Sequence, residues 1–160
     1  MALAVFDEFF SREQAALVRY CWGLTVDREA ARDVAQEAMT RAYREWATVG
    51  ADGSNPTAWT RTVALNLVRS QWRRDEVAAD RAGALVAERR STEVDTAGDV
   101  DLDRALRSLP ARQREAVVLH HLLDLSVADS AALMGVGEST VKVHLQRGRA
   151  ALADVLEVTE

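Results

Sequence analysis

Residues 126–152 constrain the fold of this chain more than any other segment. Apolar residues recur there at helical spacing on both sides of a short turn, 135–137, that contains two glycines. Two short amphipathic helices that pack together across such a turn are typical of a helix-turn-helix. The facing residues are Val127, Ala131 and Met134 in the first helix, and Val141, Leu145, Gly148 and Leu152 in the second.

The second of these helices has a polar, basic face on its other side, because successive residues are about 100° apart around the axis. No acid lies between Glu138 and Asp154. Arginine and glutamine can read base edges in the major groove, and lysine and serine can hold phosphates. A solvated basic helix without a DNA role is the alternative. The candidate DNA-binding residues are Ser139, Thr140, Lys142, Val143, His144, Gln146, Arg147 and Arg149.

The rest of the chain is also expected to be helical. Its 160 residues include 2 prolines and 8 glycines, and 48% of the residues are hydrophobic, which suffices for one compact domain or two small ones. We predict an all-α fold of two small helical domains, residues 1–75 and 101–160, joined by a flexible acidic linker at 76–100. The linker's acids suggest the further hypothesis that it covers a basic face in the free protein.

Local caps and breakers predict where the helices begin and end. Gly23 is expected to end a first helix that starts near Leu3. Thr25 or Asp27 would cap a second helix, which reaches about Val49. Further predicted helices run from Pro56, behind an Asn55 cap, to about Arg74; from Pro110 to about Leu122; from a Ser126 cap to Met134; and from Glu138 or Ser139 onward.

The charge is unevenly distributed. A net charge of -5 argues weakly against a nucleic-acid binder. However, residues 53–74 contain four arginines and no acid, and the second helix of the helix-turn-helix is a second basic island. Acids outnumber bases between these two islands. The distribution of charge therefore indicates two separate nucleic-acid contacts, and it is better evidence than the net charge.

The helix predicted over residues 56–74 has one narrow polar stripe on an otherwise apolar surface. Thr62, Asn66, Arg69 and Arg73 share this stripe, and Trp59 lies beside it. Cations next to an aromatic ring suit unstacked or single-stranded nucleic acid. The alternative is a core helix with a solvated arginine face.

The second helix has a polar side opposite its apolar one, formed by Asp33, Gln36, Glu37, Thr40 and Arg44. This side is either solvated or a protein-docking face. Asp33 and Glu37 are four residues apart and could share a metal ion, but no third ligand joins them, so no metal site is expected. Nothing in the sequence indicates a cofactor.

The single cysteine, Cys21, can form neither an internal disulfide nor a zinc site alone, and its apolar neighbours indicate a small buried residue. The N-terminus lacks the basic start of a signal peptide, and no apolar run is long enough to cross a membrane. A cytoplasmic protein is therefore expected.

With these patterns in order, the chain resembles the extracytoplasmic-function (ECF) sigma factors of bacterial RNA polymerase, in particular the actinobacterial sigma-E-like group. DREAARDVAQEAMTRAYREW at 27–46 resembles the region that docks on the polymerase clamp helices. NPTAWTRTVALNLVRSQWRR at 55–74 resembles the region that melts and reads the minus-ten promoter element. Residues 106–152 resemble the domain that reads the minus-thirty-five element.

The resemblance implies roles for individual residues. Asp33, Gln36 and Glu37 match the family's D-x-x-Q-E polymerase contact, and Asn66 matches an Asn near a flipped-out promoter base, with residues 50–54 helping to form its pocket. The implied polymerase-binding set is Asp33, Gln36, Glu37, Thr40 and Arg44. The implied minus-ten set is Ser54, Trp59, Arg61, Thr62, Asn66, Arg69, Arg73 and Arg74.

Three positions depart from the family pattern. Ser130 replaces a usual apolar residue and is expected at the shoulder of its helix face, while Val143 and His144 replace a common Ser-Arg pair. The implied function is promoter-specific initiation by a non-enzymatic protein. Its implied partners are promoter DNA and the clamp helices and flap of core RNA polymerase, and the resemblance leaves an anti-sigma factor open. The free protein is expected to be a monomer without membrane insertion.

The nearest rival is a response-regulator-type helix-turn-helix protein, since such domains also contain T-V-K-x-H. It would need an upstream phosphoacceptor domain with alternating strands, which the helical N-terminal half does not resemble. A metal-dependent helical hydrolase and a plain adaptor protein are further alternatives.

Overall fold

A computed structural model describes residues 2–82 and 97–157, with the side chains of residues 5–81 and 101–155. Every regular element in these ranges is helical, in agreement with the predicted all-α fold. The helices are α1 (Ala2–Thr25), α2 (Arg28–Arg44), α3 (Trp46–Val49), α4 (Pro56–Ala82), α5 (Ala97–Ser108), α6 (Ala111–Val117), α7 (Val127–Met134) and α8 (Glu138–Glu157), and α6 continues into a wide π-type turn, Val118–Leu122.

Three predicted N-caps are confirmed. The side chain of Asp27 accepts a hydrogen bond from the Ala30 amide at 3.1 Å and starts α2. Asn55 caps α4 through the Ala58 amide at 3.1 Å. Ser126 caps α7. Each cap satisfies an amide that has no partner inside its helix, which is why these residues mark the helix starts.

Several predicted helix ends are wrong. Gly23 does not end α1, which continues to Thr25, and the chain then turns at Val26 with a positive φ of 50°. The second predicted helix breaks at Glu45 into α2 and the short α3. α4 passes Arg74 and ends at Ala82, because no proline or glycine interrupts the sequence before Gly83.

The predicted linker is therefore partly helical. Residues 76–82 belong to α4, and α5 already begins at Ala97. Residues 83–96 lie outside the described residues, so the flexibility of the linker and its covering of a basic face stay predictions.

The core is continuous across both halves of the chain. α1, α2 and α4 pack together in the N-terminal half, and α8 packs on α5, α6 and α7 in the C-terminal half. α1 also contacts α6 and the wide turn, so the two groups of helices share one hydrophobic cluster. Cys21 is fully buried, as predicted, and its burial raises the pKa of the thiol to about 12.

Candidate nucleic-acid interface

The turn of the helix-turn-helix depends on Gly135. This residue has a φ of 68°, a left-handed conformation that costs little for glycine, and it ends α7. The Val136 amide donates to the Ala131 carbonyl at 3.1 Å and closes the end of the helix. α8 then starts at Glu138 and packs across α7, so the predicted helix-turn-helix is confirmed.

The predicted inner faces of α7 and α8 are also confirmed. Ala131 and Met134 are buried in α7, and Val141, Leu145 and Gly148 are buried in α8. The opposite side of α8 is consequently fixed toward solvent. Its exposed residues are Ser139, Thr140, Lys142, Val143, Gln146, Arg147 and Arg149.

His144 differs from the other residues of the predicted minus-thirty-five set. Its side chain is partly buried, and Nδ1 finds no hydrogen-bond partner among the described residues. Burial, followed by the charges of Arg112 and Arg147, lowers the pKa of the ring. These causes disfavour the charged form of the ring, so the cations on the outward side of α8 are Lys142, Arg147 and Arg149.

Ser130 is not at the shoulder of α7 as predicted. It is completely buried, and its hydroxyl oxygen has no hydrogen-bond partner in the described part of the chain. The sequence predicted an edge position because it gives only the angle of Ser130 around the axis of α7, not which other helices cover that side. Neighbouring helices widen the buried face beyond the apolar residues of α7.

The polar stripe of α4 is partly confirmed. Thr62, Asn66 and Arg73 are exposed along one side of the helix, and Trp59 is half-buried and packs against the core. Arg74 is also exposed and donates to the Gln71 side chain at 2.9 Å. These residues leave a row of polar groups next to an aromatic ring, which is a surface suited to unpaired bases.

Arg69 departs from this exposed row. Its guanidinium forms an ion pair with Glu115 of α6, which is completely buried, and also donates to the Met134 carbonyl at 3.0 Å. The pKa of Glu115 is raised, because the effect of burial exceeds the opposing effect of the neighbouring cations Arg69 and Arg112. Nothing in the α4 pattern identified this pairing, since the partner residue is on another helix.

The loop before α4 carries polar groups that precede the exposed stripe in the chain. Residues 51–55 are exposed, and the Ser54 hydroxyl donates to the Val49 carbonyl at 2.6 Å. Gly53 has a φ of 82°. Arg61, by contrast, is only half-exposed and lines a small recess with Phe9 and Glu13, so it lies on a different side of α4 from Asn66.

The polar side of α2 lies at the edge of an apolar groove. Asp33, Gln36 and Arg44 are exposed, and Glu37 pairs with Arg41 at 2.9 Å. Between α1 and α2 is a groove of about 560 Å³, lined by Phe6, Phe10, Val18, Met39, Tyr43 and the predicted residues Gln36 and Thr40.

Sequence reasoning missed this groove. Tyr43 is 51% exposed, with its ring against Phe6 at a centroid distance of 5.1 Å. Phe6 and Phe10 near the start of α1 were the sequence signal for the groove. Their position opposite α2 depends on how α1 and α2 pack, which the sequence pattern does not give. An apolar groove with a polar rim is a suitable surface for a partner helix.

A metal site is not assembled in the described residues. No group of three or more histidine, cysteine, aspartate or glutamate side chains there is placed to hold a metal ion. In the same ranges, no helix is long and apolar enough to cross a membrane.

Comparison with known proteins identifies both halves of the chain. Residues 9–77 match the family model for "Sigma-70 region 2" and residues 99–152 match that for "Sigma-70, region 4". The chain is 33% identical to the ECF RNA polymerase sigma factor SigM of Mycobacterium tuberculosis over 153 residues, which is 94% of this chain and 76% of that protein. It is also 33% identical to the RNA polymerase sigma-E factor of Streptomyces antibioticus, over 97% of this chain and 86% of that one.

Solved structures agree with this result. The chain superposes with a TM-score of 0.78 and 28% identity on the sigma factor RpoE of Bartonella quintana, which was solved in complex with the anti-sigma factor NepR. The superposition covers 97% of this chain and 98% of that one. CnrH, solved with the cytosolic domain of CnrY, has the same fold at a TM-score of 0.73 and 21% identity, over 99% of this chain and 91% of that one.

Proposed function

The chain belongs to the ECF sigma factors of bacterial RNA polymerase, in the actinobacterial sigma-E-like group, and on this premise we propose which of its surfaces performs each task. Its function is to bind core RNA polymerase and to direct the initiation of transcription at specific promoters. A response-regulator-type protein is not favoured, because both sigma regions are matched in order. The family matches support a division into region 2 at residues 1–75 and region 4 at 101–160.

The outward face of α8 reads the minus-thirty-five element. The observation that carries this proposal is a row of exposed cations and amides on α8, with no acid between residues 139 and 153. Arg147 and Gln146 would contact base edges, and the flanking Lys142 and Arg149 would contact phosphates. Ser139, Thr140, Val143 and the partly buried His144 complete the proposed contact set.

The exposed stripe of α4 and the loop before it read the minus-ten element. Asn66 and the polar groups at residues 50–54 would hold a base that has left the stack, and Trp59 would offer a ring edge beside it. Such contacts offset the stacking energy that is lost when the duplex opens. The remaining proposed contacts on this surface are Ser54, Thr62, Arg73 and Arg74. Arg61 and Arg69 of the predicted set do not belong to the exposed stripe, because Arg61 lies on another side of α4 and Arg69 pairs with Glu115.

The groove between α1 and α2, with its polar rim, binds core polymerase. Gln36 and Thr40 lie on both the polar face and the groove, which supports a single docking surface there. Asp33, Glu37 and Arg44 would surround it, and the clamp helices of polymerase are the proposed occupant. Region 4 would dock on the flap, and together these contacts set the spacing between the two DNA-reading surfaces.

The chain makes and breaks no bond, works in the cytoplasm and is a monomer when free. An anti-sigma factor is a proposed additional partner, supported by the likeness to RpoE, which was solved with one.

In vitro transcription from a promoter library with purified core polymerase tests the proposal. Wild-type protein should select promoters, and Gln36→Ala combined with Glu37→Ala should reduce both transcription and capture of core polymerase. Asp75→Ala combined with Glu76→Ala is the control, since it removes two exposed acids from α4, outside the proposed surface. Polymerase capture equal to wild type by the Gln36 and Glu37 variant would refute the docking assignment.

A further inference from the structure

The last two turns of α4 extend beyond the core and beyond the segment that the sequence predicted. Residues 73–78, 80 and 81 are all exposed, and the helix ends at Ala82. The match to the family model for region 2 ends at residue 77, so the final part of the helix lies outside it. Packing against the core therefore does not explain which residue types occur in this extension.

Three arginines and two apolar residues share one side of the extension. Val77 is 49% exposed at its centre, although valine is a poor helix former and gains nothing here from burial. These residues line one open recess on the surface of α4, and we call them the distal face: Arg73, Arg74, Val77, Ala78 and Arg81.

The distal face continues the polar stripe that contains Asn66. At 100° per residue, Asn66 and the other members of the face lie within about 80° of Arg81 around the helix axis. The acids of the same segment, Asp75, Glu76 and Asp80, lie about 100–140° from Arg81. Positive charge is therefore concentrated on the side of the helix that is proposed to face the promoter.

The charges of the distal face are not compensated by acids. Arg73 donates to the Ser70 hydroxyl at 3.2 Å, and Arg74 donates to the Gln71 side chain at 2.9 Å. Within the described ranges, no carboxylate pairs with either of them or with Arg81. A row of unpaired guanidinium groups along a helix suits a linear polyanion, because arginine matches the geometry of phosphate.

The span between the promoter elements decides which way α4 points along the DNA. The elements named minus ten and minus thirty-five are about 25 base pairs apart, or roughly 85 Å along B-form DNA. Residues 83–96 span at most about 50 Å when fully extended, and a compact region 4 is roughly 25 Å across. These lengths reach the span only if α4, about 22 Å long from Asn66 to Arg81, adds its length in the same direction. The Arg81 end therefore lies upstream, toward the duplex that region 4 reads.

We propose that the distal face of α4 binds the phosphate backbone of the paired DNA upstream of the minus-ten element. Arg81 is the contact farthest from the melted bases, about six base pairs from the base held by Asn66. The inference rests on the proposed function of α4 and adds a third DNA contact, which lies between the two promoter elements. Because phosphate carries no sequence information, this contact fixes the register of the duplex for any spacer sequence.

Arg81→Ala tests the contact in the holoenzyme assembled with core polymerase. The affinity for promoter DNA should decrease roughly threefold to tenfold at about 0.1 M salt, and the plot of log affinity against log salt should become less steep by about 0.9. The loss should be the same on promoters with different spacer sequences. Alanine favours the helix, so circular dichroism should be unchanged.

Two further variants control for charge and position. Arg81→Lys keeps the cation and should retain most of the affinity and the steep salt dependence. Arg19→Ala removes an exposed arginine from α1, outside every proposed DNA and polymerase surface, and should behave as wild type. An Arg81→Lys variant as weak as Arg81→Ala, with the same reduced salt dependence, would overturn the assignment of Arg81 to phosphate.

Uncharged methylphosphonate linkages locate the contact on the DNA. Placed in the duplex about three to eight base pairs upstream of the melted bases, they should weaken wild-type binding and have a smaller effect on Arg81→Ala, since the partner of the missing cation is then absent. The same linkages downstream of the minus-ten element should affect both proteins equally. Equal effects at the upstream position would overturn the inference.

Failure of the inference is distinguishable from failure of the proposed function. If Arg81→Ala binds promoter DNA with wild-type affinity and salt dependence, while the wild type selects promoters, the inference is wrong. Coverage of the distal face by residues 83–96 or by polymerase would give that result. A wild-type holoenzyme that selects no promoter would refute the proposed function, and the third contact with it.

Discussion

Single residues decide how the basic face of α8 reads DNA in the proposed function. Arg147 is exposed at the centre of that face, next to Gln146 and one turn from Val143. Val143 is 42% exposed and carries no charge, so it can contact a thymine methyl group but cannot hold a phosphate. Sequence discrimination therefore depends most on the few polar side chains around it.

Arg147→Ala should weaken recognition of the minus-thirty-five element by about 1–3 kcal/mol. The loss reflects a missing contact to a base edge, so it should be larger on the preferred element than on a scrambled one. Competition binding of the holoenzyme to both promoters measures this difference. Arg19→Ala, at an exposed arginine of α1, should leave it unchanged. An equal loss on both DNAs would assign Arg147 to phosphate.

Cys21 should be inert to alkylation in the native protein. Its side chain is fully buried, and burial raises the thiol pKa to about 12, so the reactive thiolate is scarce at pH 8. Mass spectrometry after iodoacetamide treatment should show unmodified native protein and full modification in urea. Reactivity should increase only as the pH approaches 12. Rapid labelling of the native protein at pH 8 would contradict the buried placement.

At the scale of the element, two serines, one at the N-cap of α7 and one within it, have opposite effects on this helix. Ser126 accepts a hydrogen bond from the Asp129 amide at 3.0 Å and caps the helix, whereas the hydroxyl of Ser130 is buried and has no partner among the described residues. The same residue type thus stabilises the start of α7 and destabilises its packed face. A buried hydroxyl without a hydrogen bond costs the free energy of its lost hydration.

Ser130→Ala should raise the free energy of unfolding by about 1 kcal/mol. For a chain of this size, this corresponds to an increase in melting temperature of about 2–4 °C. Ser126→Ala should lower the free energy of unfolding by about 1 kcal/mol, since it removes the cap. Thermal denaturation of both variants provides the comparison. A decrease on Ser130→Ala would mean that the hydroxyl has a partner in solution.

At the scale of the whole molecule, the shared hydrophobic cluster predicts cooperative unfolding of the two halves. All four tryptophans, at positions 22, 46, 59 and 72, lie in the N-terminal half, while helices of both halves contribute to circular dichroism. The urea midpoints from tryptophan fluorescence and from circular dichroism should therefore coincide. Gly23→Leu places a side chain against Val118 of the C-terminal half and should separate them if the halves become independent. Separate midpoints in the wild type would contradict a common core.

The sequence by itself determined the helices, most of their starts, and the two faces of the helix-turn-helix. These features depend on residues within one or two turns of each other: Asp27, Asn55 and Ser126 cap their own helices, and the spacing of Val141 and Leu145 fixes the outward side of α8. Local geometry is enough to read them. The exposed part of the candidate DNA surface could be predicted for the same reason.

Only the tertiary structure decided the roles of Gly23, Arg69 and Ser130. Arg69 and its partner Glu115 are 46 residues apart, and Gly23 lies against the distant Val118. The angle of a residue on its own helix does not say which other helix will cover it. Packing between the two halves therefore decided the roles of Arg69 and Gly23. The helices around α7 decided that Ser130 is buried.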